Sequence, residues 1–110
     1  MTSTTAPSAP KAVAAIAHET TVSGGRFVYS RDGAEAELTY ANTGASAGAV
    51  RVIADHTYVP DAMRGQGVAA LLVDALIAKA RSDGWTILPR CSYVVSAFKS
   101  HPEWNDVLAD

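Results

Sequence analysis

The run Val59-Pro60-Asp61-Ala62-Met63-Arg64-Gly65-Gln66-Gly67-Val68-Ala69 separates a β-branched stretch from a helical repeat, and its residue types suit an anion. Gly65 and Gly67 let the backbone come close to a ligand and present N–H groups to it. A helix beginning here adds its own unpaired amides and roughly half a positive charge at its N-terminus. Arg64 supplies a fixed charge with a planar fork that matches phosphate oxygens. The same residues also suit a plain tight turn with Arg64 in solvent, so the loop alone leaves both open. Gly65-x-Gly67-x-x-Ala70 has the form of a dinucleotide-binding fingerprint. That reading fits poorly, because Asp83 falls at a helix end rather than a strand end, and the chain has room for one crossover only. No Walker pattern is present.

Three further side chains carry reactive chemistry. Cys91 follows Pro89 and precedes a helix whose dipole favours a thiolate, with Arg90 beside it. It is either a nucleophile or a small buried hydrophobe. His56 is of a residue type suited to proton transfer at neutral pH, but shares a strand face with Val52 and Ala54 and equally suits a core histidine. Tyr93 offers a hydroxyl for protonating a leaving group. His101, before Pro102, is expected to bond backbone near a helix end, and His18 falls in the N-terminal tail. The histidines and the cysteine lack zinc-ligand spacing, so no metal is expected.

These residues must be positioned by a mixed set of elements. Arg26 to Ser30 reads as a strand, and Asp32-Gly33 as a two-residue turn. Ala34, Ala36, Leu38 and Tyr40 then alternate with Glu35, Glu37 and Thr39, the period of a half-buried strand. Residues 42–48 read as a loop. Residues 49–59 form a third strand, with Val50, Val52, Ala54, His56 and Tyr58 on one side and Arg51, Ile53, Asp55, Thr57 and Val59 on the other. From residue 67 to 82, Val68, Leu71, Leu72, Ala75 and Leu76 recur at helical spacing, with Asp74 and Arg81 on the wet face and Gly84 as a left-handed cap. A short strand over residues 85–88, a helix over 93–100 and a last apolar turn with Trp104, Val107 and Leu108 complete the chain. Trp85 and Trp104 are expected to pack. An antiparallel meander followed by a strand–helix–strand crossover defines an α/β (α+β) class with one parallel strand pair.

The 110 residues suffice for one domain, and 48% apolar against 18% charged residues can build a core. A net charge of −2 gives no basic face for nucleic acid. No apolar run approaches the roughly 20 residues of a membrane span, so a soluble chain is expected. One cysteine fits a reducing, cytoplasmic setting. Residues 1–22 are small, polar and punctuated by Pro7 and Pro10. Lys11 comes too late, and the apolar run 13–17 is too short, for a signal peptide. A disordered tail over 1–22 and a folded unit over 23–110 are expected.

Arg64-Gly65-Gln66-Gly67-Val68-Ala69 resembles the R/Q-x-x-G-x-G/A motif of the GNAT superfamily of acetyltransferases. With His56-Thr57-x-Val59, Pro89-x-Cys91 and His101-Pro102 in this order, residues 27–108 are similar to a compact GNAT-like subfamily. The resemblance implies acetyl-CoA as the bound small molecule. It places Arg64, Gly65, Gln66, Gly67, Val68 and Ala69 at the pyrophosphate, and Thr57, Tyr58 and Val59 along the pantetheine. It implies transfer of the acetyl group to an amine, thiol or protein acceptor, with Cys91, His56 and Tyr93 as catalytic candidates. The chain departs from the superfamily in lacking the helices after the first strand and a glutamate on the long strand. The acceptor site is therefore shallow, completed by a partner, or absent, and a non-catalytic acyl-CoA-binding module is the alternative.

Overall fold

Asp32 and Gly33 both take positive φ, 52° and 82°, the backbone of a two-residue turn whose twist matches that of the strands it joins. On either side lie β2 (Gly24–Arg31) and β3 (Ala34–Ser46), paired antiparallel from Arg31↔Ala34 to Gly24↔Ala41. The computed structural model describes residues 16–46 and 49–109. Within them, β1 (Ile16–Thr20), β4 (Ala49–Tyr58) and β5 (Trp85–Pro89) complete one sheet in the order β1-β2-β3-β4-β5. The first three pairings are antiparallel, and β4 pairs β5 in parallel across the crossover helix.

Two expectations are corrected here. The folded unit does not start at Ser23: β1 pairs with β2 from Ile16↔Tyr29 to Thr20↔Gly25. Its apolar content is low, but Ile16, His18 and Thr20 alternate, and an existing edge needs little more than backbone partners. Residues 1–15 of the expected tail lie outside the described residues. Nor does a loop begin at Asn42, because β3 runs on to Ser46 with a second register shift between Asn42 and Ala45. Cross-strand pairing to Val50 and Val52 overrides the turn propensity of Asn42 and Gly44.

The third correction concerns β4. Tyr40 pairs with Ala54, but Thr39 pairs with His56, so Asp55 is an extra residue opposite no partner. A bulge of this kind reverses the alternation beyond it. Val52 and Ala54 face the core at 0% exposure, whereas past the bulge Thr57, opposite buried Leu38, turns inward. His56 and Tyr58 turn to the other face, opposite Thr39 and Glu37. The continuous alternation expected over residues 49–59 therefore holds only as far as Ala54.

The crossover helix α1 (Val68–Asp83) buries Leu72, Val73, Leu76, Ile77 and Ala80 against Phe27, Ala36, Leu38, Tyr40, Val52 and Ile87. Gly84, with φ 75°, donates its N–H to the Ala80 carbonyl and ends the helix. A second helix, α2 (Ser92–Ser100), and a 3-10 segment (Pro102–Val107) join the same cluster through Val94, Phe98, Trp104 and Val107. Arg81 of α1 fastens that segment, donating to both Asp106 carboxylate oxygens at 3.0 Å and to the Glu103 carbonyl at 3.0 Å. His101 lies flat on Trp104, with ring centres 4.0 Å apart, and bonds Glu103 Oε2 at 2.8 Å. Its side-chain partner is thus a carboxylate rather than the expected backbone group. The opposite sheet face carries Arg26 between Glu19 (2.8 Å) and Glu37 (2.7 Å), and no helix covers it among the described residues.

His18 fixes β1 to the core. Its ring stacks on Phe27 at 4.3 Å and its Nε2 lies 2.6 Å from the Tyr40 hydroxyl, with Trp85 edge-on at 6.2 Å. Burial, aided by the positive charge of Lys79 and opposed by Asp83, holds the imidazole below its ordinary pKa. The folded state therefore favours neutral His18. Its stabilising contribution is complete above about pH 6.5 and is lost as pH falls through the lower folded value. Mild acid should lower the unfolding midpoint of the wild-type chain more than that of His18→Asn, and parallel pH profiles would contradict this. Leu72→Ala, at a fully buried site, should cost about 2–5 kcal/mol in denaturant titration.

Candidate functional site

The β4–β5 ladder ends at Ala54↔Pro89. The next two amides, Arg90 and Cys91, both donate to the Ala54 carbonyl at 2.9 and 3.0 Å, the first in ladder position and the second sharing the same oxygen. The chain after β5 is thereby drawn into a bend, while β4 continues to Tyr58 paired only with β3. The β4 edge over Thr57 and Tyr58 has no strand beside it on the β5 side among the described residues. An open strand edge offers N–H and C=O groups to an extended ligand.

Cys91 stands where the two strands part. It is the N-cap residue of α2, partly buried, with its sulfur 3.4 Å from Thr57 Oγ1. The bulge at Asp55 is what points Thr57 inward to make this contact. Burial by itself pushes the thiol up, but the Thr57 hydroxyl and the amides of Val94, Tyr93 and Thr57 together outweigh it and hold the thiol below its ordinary pKa. The helix amides face the sulfur without reaching a cap hydrogen bond, so they act through their field. The hydroxyl accepts from the thiol and can rotate to donate to the thiolate.

Beyond β4, a 3-10 turn (Asp61–Met63) leads into the glycine loop, anchored by the buried Met63. Gly65 and Gly67 each have φ 77°, a conformation strained for any residue with a Cβ, and Gly67 is the N-cap of α1. A Cβ on either would meet nothing within 4 Å. The loop faces an open cavity of about 270 Å³ lined by Val59, Met63, Arg64, Gly65, Gly67, Val68, Ala69, Ala70 and Tyr93. No side chain caps the first turn of α1, leaving its leading amides for an anion. Uncapped amides, an arginine and unobstructed glycines fit a phosphate group.

The expected site residues separate into two groups. Arg64, Gly65, Gly67, Val68, Ala69, Val59 and Tyr93 line this cavity. Arg64 also folds back, its Nε donating to the Val59 carbonyl at 3.1 Å and its Nη1 lying 3.4 Å from Asp61. Gln66 does not line the cavity: its Nε2 donates to the Ala62 carbonyl at 3.0 Å, and its Oε1 accepts from Arg31 at 2.6 Å. Thr57 meets Cys91, whereas His56 and Tyr58 lie on the exposed sheet face, so His56 is not brought to the thiol. The Tyr93 hydroxyl makes no hydrogen bond to Cys91 among the described residues. Thr57 as a side-chain partner and Arg31 were not legible beforehand, since the first depends on the bulge and the second on a contact spanning 35 residues.

A mixed five-stranded sheet whose parallel pair parts beside a cysteine, next to a glycine loop at a helix N-terminus, defines the α/β architecture of the chain. Residues 26–107 match the family described as GCN5-related N-acetyl-transferase, and the chain belongs to that family. Its fold is similar to a ribosomal-protein-alanine N-acetyltransferase from Brucella melitensis biovar Abortus 2308, with a TM-score of 0.59 at 22% identity. That match covers 82% of this chain and 66% of the other, so the chain spans just under two thirds of that protein's length. Among the described residues no His, Cys, Asp or Glu cluster is arranged to hold a metal, and no helix is long and apolar enough to cross a membrane.

Alkylation of Cys91 should titrate with a midpoint below the roughly 8.5 of an ordinary thiol. Thr57→Val removes a donor to the thiolate and should move that midpoint upward. A midpoint indifferent to Thr57 would show that the hydroxyl does not stabilise the thiolate.

Proposed function

We propose that this chain binds acetyl-CoA and transfers its acetyl group to an acceptor, with Cys91 as the nucleophile. The observation that carries the reading is the parting of β4 and β5 at Ala54, with Cys91 at the point of separation and the glycine loop at the far end of the open β4 edge. Arg64, Gly65, Gly67, Val68 and Ala69 would hold the pyrophosphate through backbone N–H groups and one guanidinium. Backbone groups of Thr57, Tyr58 and Val59 would bond the amides of the pantetheine arm. When bound, the coenzyme supplies an activated acetyl thioester. Thr57 and the α2 amides favour the thiolate of Cys91.

His56 lies on the exposed sheet face away from Cys91, and no part in the cysteine step is assigned to it. Tyr93, beside the phosphate loop, is assigned to the coenzyme rather than to proton donation. The acceptor is an amine, thiol or protein, and the similar fold of an enzyme named for a ribosomal-protein alanine makes a protein N-terminus one candidate. A second reading, a binding module that does not catalyse transfer, draws on the Arg26 face of the sheet, over which no helix packs among the described residues.

At about one hundred times its dissociation constant, acetyl-CoA should add about 2.7 kcal/mol of stability, a rise of roughly 10 °C or more for a domain of this size. Intact mass on the same samples should show one added acetyl group, absent in Cys91→Ala, which should keep the thermal shift. A shift with no adduct in either protein would remove the cysteine step. Failure to turn over any amine or thiol would favour the binding module, and no shift at all would sink the coenzyme reading.

A further inference from the structure

We infer that Arg31, at the hairpin end of β2, is a positioning residue for the phosphate loop, acting through Gln66. The inference rests on the coenzyme reading above and adds a residue that neither the loop motif nor the family match assigns. Arg31 Nη2 donates to Gln66 Oε1 at 2.6 Å, a short charge-assisted bond between segments 35 residues apart. Gln66 in turn donates from Nε2 to the Ala62 carbonyl at 3.0 Å. Its amide thus spans the loop, with one end on the 3-10 turn before it and the other on the β2–β3 hairpin.

The position of Gln66 gives this bond leverage. It lies between Gly65 and Gly67, both at φ 77° with no atom within 4 Å of a would-be Cβ. Neither neighbour has a side chain to hold the loop, and the space a Cβ would take at each is open. The orientation of the N–H groups around Gln66 is then set by what its side chain is tied to. Arg31 is itself restrained: its guanidinium lies 5.9 Å from the centre of the Tyr29 ring, and the hairpin turn follows directly at Asp32-Gly33. Among the described residues no carboxylate lies within ion-pair distance of Arg31, in contrast to Arg64 with Asp61. The guanidinium therefore also brings an unneutralised positive charge to the outer side of the loop.

A loop ordered in this way matters for phosphates and not for the thioester end of the ligand. The test compares acetyl-CoA with S-acetylpantetheine, which carries the same thioester without the phosphates, in binding titrations of wild type, Arg31→Met, Arg31→Lys, Gln66→Ala and the double variant Arg31→Met/Gln66→Ala. Arg31→Met should weaken acetyl-CoA binding about two- to fivefold, as expected for losing one charge-assisted bond at an exposed site. S-acetylpantetheine binding should not change, and Arg31→Lys should recover part of the loss. The double variant should be no weaker than the worse single variant, because both remove one interaction. Where a transfer assay is available, the loss should fall in KM and not in kcat.

Three results would overturn the inference while leaving the coenzyme reading intact. They are undiminished acetyl-CoA binding by Arg31→Met, equal losses for both ligands, and losses that add in the double variant. Wild-type protein that binds neither ligand would overturn the coenzyme reading and this inference together. Thermal unfolding of each variant separates loss of the fold from loss of the loop, and Arg31→Lys, which keeps the charge, serves if Arg31→Met does not fold.

Discussion

The carbonyl of Ala54 takes both the Arg90 and the Cys91 amides, and most of the site follows from that convergence. The Arg90 amide makes the last bond of the parallel ladder, and the Cys91 amide falls on the same oxygen instead of moving on along β4. Accepting both turns the chain away from β4 and sets Cys91 at the bend. On its other side Ala54 is the last residue of β4 in register with β3 before Asp55 bulges out. One residue thus ends one pairing and precedes a register shift in the other. The open strand edge, the inward turn of Thr57 and the contact between Thr57 and Cys91 all lie downstream of it.

Both helices begin at this cleft without side-chain caps. Gly67 starts α1 and Cys91 starts α2, and neither makes a cap hydrogen bond. A serine, threonine or aspartate at such a position stabilises a helix by about 1 kcal/mol, and the chain forgoes it twice in one region. Uncapped amides keep their partial positive charge available, to an anion at α1 and to the sulfur at α2. Leaving these amides free therefore runs against local helix stability. The compensation lies at the other ends, where Gly84 closes α1 onto the Ala80 carbonyl and Arg81 ties the closing 3-10 segment to the helix.

The sheet is two-sided in character. One face takes both helices and the whole apolar cluster, while the other bears an ion-paired row around Arg26. Antiparallel strands tolerate a wet face, which lets β1 join the sheet with few apolar residues. The contact that secures β1 is aromatic, with His18 between Phe27 and the Tyr40 hydroxyl. Gln66 and Arg31 join the hairpin end of this sheet to the glycine loop, so the antiparallel half of the molecule meets that loop through side chains as well as through the core.

Much of the fold was legible in local pattern. The period of α1, its glycine stop, the Asp32-Gly33 turn and the glycine loop before the helix all depend on residues near one another in sequence, and each stands within a residue or so of its expected place. The loop's resemblance to the acetyltransferase motif named the family before any geometry was available. Other features were decided only when distant segments met. Thr39 and Tyr40, on another strand, determine that Asp55 bulges, and so which way His56 and Thr57 face. Arg31 takes hold of Gln66 from 35 residues away, and β1 is a strand because β2 offers it an edge. Sequence periodicity carries the preferences of a segment for its own conformation. The register between segments, and with it the pairing of Cys91 with Thr57 rather than His56, is set by partners that no local window contains.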